Sequence, residues 1–483
     1  MSTLAISGSA HRPESGKSMR GIPLRGTAVL LLVTAFLSTP AALADGPAAG
    51  ADLHVAQSLG ARELTVVLRR VDGVPGPLRV DVVTHAGTVP GSLRLRLASA
   101  GVSETTVALG ATPGVHGGTV EVGRPGPHEL VLDDGTATAS IPFVVPVSVL
   151  SPAERATYAG FAAAGLLLAL ALVAALRARR GWVVVVPTAG FGAVLAVAVT
   201  AAVLSASTPA PPVPGEYVDA TVDAVLDPYS LAHPALGQAT RPPATMLVRP
   251  TKAGDGVDLV LSFTDSASGR PVDDLLVHDS AFVHLLVVTP SLGLRHLHPV
   301  RVGPGEYRVH VADTEPGHYA LAAEVSRRGG GVQLLRSPTG FDVDGQAPPV
   351  QDAAATQVDV SNARSGEPTT IVARFGDRAD LQPWLGMVGH LIAVGPLPDD
   401  ASTAAVERAP LWAHVHAMAP ARRSADREAP DETVAAYGPE ASFTHTFPLP
   451  GRYRVWVQAQ RDYELLTVPV WVDVAAGTTA SGR

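Results

Sequence analysis

The sequence predicts a mainly β protein: three extracytoplasmic antiparallel β-sandwich domains plus a two-helix transmembrane hairpin. Three observations carry this. Short segments of alternating apolar and polar residues, broken by Pro-Gly turns, lie on both sides of one strongly apolar region. That region contains two runs of about 20 apolar residues, the length a helix needs to cross a bilayer. Near the C-terminus a three-part, histidine-bearing pattern occurs twice. The 483 residues leave room for several domains of roughly 100–200 residues each. With 46% hydrophobic residues, 17% charged residues and a mean hydropathy of +0.23, the chain is too apolar for a disordered or an ordinary soluble protein. A net charge of −8 with scattered basic residues argues against a nucleic-acid partner. The absence of Cys excludes thiolate metal sites, disulfides and Cys nucleophiles, so any metal has to be held by His, Met or carboxylate.

Residues 1–44 combine Arg12, Lys17, Arg20 and Arg25 with an apolar run from Ala28 to Leu37 and the small residues Ala42-Leu43-Ala44. This is the order of a cleaved secretory signal. Residues 45–152 form the first predicted sandwich: Leu78-Arg79-Val80-Asp81-Val82 and Ser92-Leu93-Arg94-Leu95-Arg96-Leu97 alternate with period two, and Pro75-Gly76, Pro90-Gly91, Pro113-Gly114 and Pro125-Gly126 punctuate them. Its four histidines, His54, His85, His116 and His128, are dispersed and read as surface or strand-end residues. Residues 156–206 form the hairpin, with spans 158–176 and 182–206. Arg177, Arg179 and Arg180 lie in the short loop, which places it on the cytoplasmic side. The chain is therefore expected in the cell membrane with both large regions extracytoplasmic, in agreement with the exporting signal. A Pro-rich linker covers 207–244, two homologous sandwich repeats cover 245–345 and 346–476, and 477–483 is a disordered tail.

The repeats are defined by matched strings. His284-Leu285-Leu286-Val287-Val288, His296-Leu297-His298 and Pro316-Gly317-His318-Tyr319 answer to His390-Leu391-Ile392-Ala393-Val394, His414-Val415-His416 and Pro450-Gly451-Arg452-Tyr453. Residues two apart on a strand share a face. His296 and His298 are thus neighbours, as are His414, His416 and Met418. If His284 pairs opposite His298, all three rings of the first copy meet; a slip of one residue separates them. The candidate metal ligands are His284, His296 and His298 in one site and His390, His414, His416 and Met418 in another, with His278, His310 and His318 as outer candidates. Imidazoles with a thioether nearby suit copper first and zinc second. Asp273 and Asp274 alternate faces and read as a turn. No nucleophile elbow, His-Glu-x-x-His, phosphate loop or dinucleotide fingerprint occurs, so the chain is expected not to be an enzyme.

The strings His284–Val288 with His296-Leu297-His298-Pro299, Met387–Val394 with Ala413-His414-Val415-His416, and Pro450–Gln458 resemble those of uncharacterised exported actinobacterial membrane proteins with repeated Ig-like domains, a kind associated with heavy-metal and copper handling. The resemblance covers the C-terminal repeats and implies secreted, Ig-like, metal-binding modules. The second copy departs from the pattern in its long insert and in Ala417, where the first copy has Pro299. The alternative reading is a structural or protein-interaction envelope protein, its protein partner unknown, whose histidines are packed and bind no metal.

Overall fold

The computed structural model describes residues 52–69, 73–98, 103–145, 150–206, 242–328, 330–350, 357–418 and 431–477. The predicted signal segment 1–44, most of the predicted linker (207–241) and residues 478–483 of the predicted tail lie outside them. The described chain is mainly β, built from antiparallel sheets, with two apolar helices packed as a hairpin.

Between Leu53 and Val145, eight strands make two four-stranded sheets. In one, Leu53–Leu59, Arg62–Leu68, Gly76–Thr84 and Gly114–Val122 lie side by side; in the other, Glu104–Leu109, Gly91–Leu97, Gly126–Asp133 and Thr138–Val145 do. Alternation sets the layering: Leu93, Leu95 and Leu97 enter the core while Ser92, Arg94 and Arg96 face out. The reading of all four histidines here as surface or strand-end residues is corrected for His128, which lies within the strand Gly126–Asp133 and is buried against the Arg124 carbonyl. His85 does stand at a strand end, although it is buried there against the Thr65 hydroxyl.

The helices span Pro152–Arg177 and Trp182–Ser205. The first begins six residues before the predicted span because Ser151 and Glu154 form a capping box, with Pro152 at the first helical position. Small residues let the two helices approach closely: a Cβ on Gly160 would stand 2.8 Å from that of Ala198. Both helices are long and apolar enough to cross a membrane.

The first C-terminal sandwich pairs Val300–Gly303, Glu306–Val311, Gly256–Asp265 and Ala244–Ala253 in one sheet. Leu275–Leu276, Gly317–Arg327, Val283–Val288 and Leu294–Leu297 run through the facing one, and Gly331–Arg336 and Phe341–Val343 pair with Gly317–Arg327 to complete its six strands. The second has Gln357–Val360, Pro368–Arg374 and Glu440–Thr446 against Leu411–Met418, Met387–Leu397, Gly451–Arg461 and Glu464–Val474. The copies agree in detail. Tyr319 and Tyr453 each donate to the carbonyl four residues back, at 2.9 and 2.8 Å, closing the same corner. Gly317 and Gly451 both adopt positive φ, and a Cβ on either would collide with the equivalent prolines Pro290 and Pro396. The long insert of the second copy holds a short helix, Thr403–Arg408, that buries Val406.

One feature positions the site. Every residue of Val283–Val288 is buried, because both faces of this sheet are covered. Leu285 and Val287 enter their own sandwich core with Tyr307 and Tyr319. Leu286 and Val288, on the other face, pack with Ile392, Val394, Trp412 and Trp456 of the second copy. The Trp456 indole N–H also donates to the Leu292 carbonyl at 3.1 Å. The two repeats thus mate through equivalent sheets. The N-terminal sandwich joins them through the Ser58 amide to the His298 carbonyl (2.8 Å) and the Arg301 guanidinium to Glu129 (2.6 Å). Asp273 and Asp274 do not form a turn: Asp273 binds Arg301 and Asp274 binds Arg327, each at 3.0 Å.

Candidate metal centre

Strand register brings the imidazoles together. Leu285 pairs with Leu297 and Leu286 with His296; one step further along the same register, His284 faces His298. In the second copy His390 lies opposite His416, and Ile392 opposite His414. On the other side, His284 stands against Glu324 and His390 against Gln458. Each copy therefore projects three rings from one face, and it is the face that meets the other repeat. The sequence suggested two separate sites; the structure joins them into one cluster of six, because the two outer faces pack on each other. Neighbouring ring centroids are 4.5 to 5.6 Å apart. Trp384 packs edge-on against His296, His298 and His390 at 5.0, 5.5 and 4.9 Å.

The hydrogen bonds repeat across the two copies. Nδ1 of His284 lies 3.1 Å from Nε2 of His296, and Nδ1 of His390 lies 3.2 Å from Nε2 of His414. Nε2 of His284 reaches the His278 carbonyl at 2.9 Å, and Nε2 of His390 the Trp384 carbonyl at 3.1 Å. The next bonds are exchanged between repeats: His296 Nδ1 meets Oε1 of Gln458 at 3.0 Å, and His414 Nδ1 meets Oε1 of Glu324 at 3.2 Å. His298 Nδ1 meets Glu63 of the N-terminal sandwich at 2.6 Å, and His416 Nδ1 lies 3.4 Å from Asp279. The remaining nitrogens at these two equivalent positions, Nε2 of His298 and of His416, are buried without a hydrogen-bond partner.

These contacts assign the tautomers. A neutral imidazole has one N–H and one lone pair. Carbonyl and carboxylate oxygens only accept, so the nitrogen facing each of them carries the proton. Gln458 donates its own N–H to the Thr467 hydroxyl at 2.9 Å, which turns Oε1 towards His296. Five rings then spend their N–H outward and aim a lone pair into the cluster, and the Asp279 carboxylate 3.4 Å from Nδ1 favours the same tautomer for His416. In two pairs, those lone pairs face each other at 3.1 and 3.2 Å. Two nitrogens bound tetrahedrally to one ion at about 2.0 Å would stand roughly 3.3 Å apart.

Burial, and next the charges of neighbouring rings, holds His284, His296 and His390 well below the usual imidazole range. The same causes, burial first and His414 next, bring His416 to about 4. Burial alone would raise Glu324, but its hydrogen bond to His414 and the ring's charge bring it below the usual carboxylate range.

Among the described residues, four groups have ligand atoms mutually within 4.8 Å: His284, His296 and His298; His296, His390 and His414; Glu324, His414 and His416; and His278, Asp279 and Glu324. Of the outer candidates, His278 joins the cluster. His310 pairs with Asp258, and His318 lies between Asp342 and Glu407, so both sit elsewhere. The backbone of Met418 pairs with Met387 at the end of its strand, and its side chain lies outside the described residues. Sequence reasoning passed over Glu63, Asp279, Glu324, Gln458 and Trp384. Glu324 and Gln458 did carry a signal: each stands seven residues after the glycine of its Pro-Gly corner, polar within an apolar strand.

Fold and site together define a multidomain β-sandwich chain with a histidine cluster at a domain junction. A family described as a domain of unknown function, DUF8832, matches residues 350–476, and no curated protein matches the chain. Among solved structures, the chain is similar to a tetra-tandem repeat in the extending region of a large adhesion protein, at 10% identity, covering 88% of this chain and 74% of that one with a TM-score of 0.16. Invasin, a bacterial integrin-binding protein, is similar at 10% identity over 86% of this chain and 60% of its own, with a TM-score of 0.15. Salmonella alpha-2-macroglobulin reacted with methylamine is similar at 14% identity over 88% and 24%, also with a TM-score of 0.15.

Proposed function

We propose that this chain is a membrane-anchored extracytoplasmic protein that binds a d-block metal ion, copper first and zinc second, through the joined histidine clusters of its two C-terminal repeats. The observation that carries this reading is two pairs of ring nitrogens facing each other at 3.1 and 3.2 Å in a buried cluster, where the other nitrogen of each of those four rings meets an oxygen acceptor. Two lone pairs about 3 Å apart repel unless a cation lies between them, and the cations that fit are a proton and a metal ion. A proton is disfavoured, since burial and the neighbouring rings hold His284, His296 and His390 well below the usual range. Outward N–H bonds to carbonyl and carboxylate groups are also what orient metal-bound imidazoles and raise their basicity. An all-imidazole inner set accepts both metals and, by the usual order of divalent affinities, holds copper(II) more tightly than zinc. The role is binding and buffering, not turnover. The apolar hairpin with its Arg177, Arg179 and Arg180 loop supports anchoring with the sandwiches outside.

The test is metal analysis of the full chain after copper or zinc loading and exhaustive dialysis. Wild type is expected to retain stoichiometric metal, and the His414→Ala, His416→Ala double variant to lose at least part of it. Wild type that retains none would leave the structural reading, in which the rings only fasten domains together.

A further inference from the structure

The four ligand groups form a series in which each shares one residue with the next: Glu324, then His414, then His296. Among the ligand side chains, exposure is greatest at one end of the series. At one end the side chains of His278, Asp279, Glu324 and His416 are 14, 15, 10 and 16% exposed. At the other, His284, His296 and His298 are 1, 4 and 0% exposed. Donor chemistry changes in the same direction, from carboxylate with imidazole to imidazole alone. We propose that the cluster is loaded through its carboxylate end, a d-block dication passing from His278, Asp279 and Glu324 through ligand sets that overlap by one residue to the buried set of His284, His296 and His298. This rests on the metal-binding reading above.

A bare dication in a low-dielectric interior is prohibitively costly, and overlapping sets let it keep one protein ligand at every handover. Oxygen donors at the mouth suit capture of a hydrated dication, while imidazole inside suits retention of copper or zinc. The mouth is also shaped for its task. Asp279 and Ser280 are consecutive non-glycine residues at positive φ, 45° and 61°, in a two-residue turn closed by His278 and Ala281 at 2.9 and 3.0 Å. Such backbone is strained for residues with a Cβ. It is held by the Ala56 amide of the N-terminal sandwich donating to the Ser280 carbonyl at 2.7 Å. The turn sets the Asp279 carboxylate 3.1 Å from His278 and 3.4 Å from His416.

Stopped-flow mixing of the full chain in detergent with copper(II) tests this, read by quenching of tryptophan fluorescence, since Trp384 lies 5.0 Å from the His296 ring. Asp279→Asn, which tolerates the left-handed turn, is expected to slow loading roughly tenfold, the lower end of what charge focusing at a mouth contributes. His278→Gln, a second variant that does not alter the strained position, is expected to slow it likewise. Asp258→Asn removes the same charge beside His310, away from the series, and is expected to load at the wild-type rate. Wild-type loading rates in both Asp279→Asn and His278→Gln, with copper still retained by wild type, would overturn the series as the route. Wild type that retains no copper after dialysis would instead overturn the metal-binding reading itself.

Discussion

At the residue scale, one acceptor per ring sets the chemistry of the cluster. Remove the carbonyls of His278 and Trp384, the carboxylates of Glu63, Asp279 and Glu324 and the amide of Gln458, and each imidazole is free to turn its lone pair either way. The pH dependence follows from the depressed rings. His284, His296, His390 and His416 favour the neutral form in the fold, whereas in the unfolded chain they titrate near 6.5. The unfolded state therefore binds more protons as pH falls below about 6.5, and the metal-free protein loses stability from there down through the lowered folded values, about 4 for His416. Bound metal is lost in the same direction, because each ligand must be unprotonated. Thermal melts of metal-free protein between about pH 7.5 and pH 5 are expected to fall; a melting temperature that holds or rises would contradict the buried, neutral rings.

At the scale of elements, a good part of the site was legible. Period two put His296 beside His298 and His414 beside His416, and the observed register sets His284 opposite His298, the pairing that brings all three rings together. The duplicated Pro-Gly-x-Tyr strings marked equivalent corners. Gly451→Ala is expected to cost more than about 1 kcal/mol in chemical denaturation, since its φ is 132° and the new Cβ would lie 2.6 Å from Pro396; no loss would mean the corner relaxes freely. Less legible was what covers the outer faces. The unbroken runs Leu285–Val288 and Leu391–Val394 are the marks of strands buried on both sides, but a one-dimensional pattern does not say which surface does the covering. Glu63 gave no local hint at all, because it reaches His298 from 235 residues away. The two predicted sites became one for that reason: the period was readable, and the mating of faces was not.

At the scale of the whole molecule, three sandwiches meet at the cluster, and the repeat-to-repeat face is its framework. Trp456 is fully buried there. Trp456→Ala is expected to cost about 3–5 kcal/mol, measured by urea unfolding; a loss under about 1 kcal/mol would mean that the two repeats are not packed face to face in solution.

The exchanged bonds, His296 to Gln458 and His414 to Glu324, have a consequence for descent as well as for chemistry. After a gene segment doubles, each daughter is ordinarily free to drift. Here each daughter lends the other the group that orients one of its rings, so a change at position 324 is felt at 414 and a change at 458 is felt at 296. The twins are bound to each other along that seam, and where they differ there, in Glu324 against Gln458 or Ala322 against Trp456, each change has had to suit the face of the other.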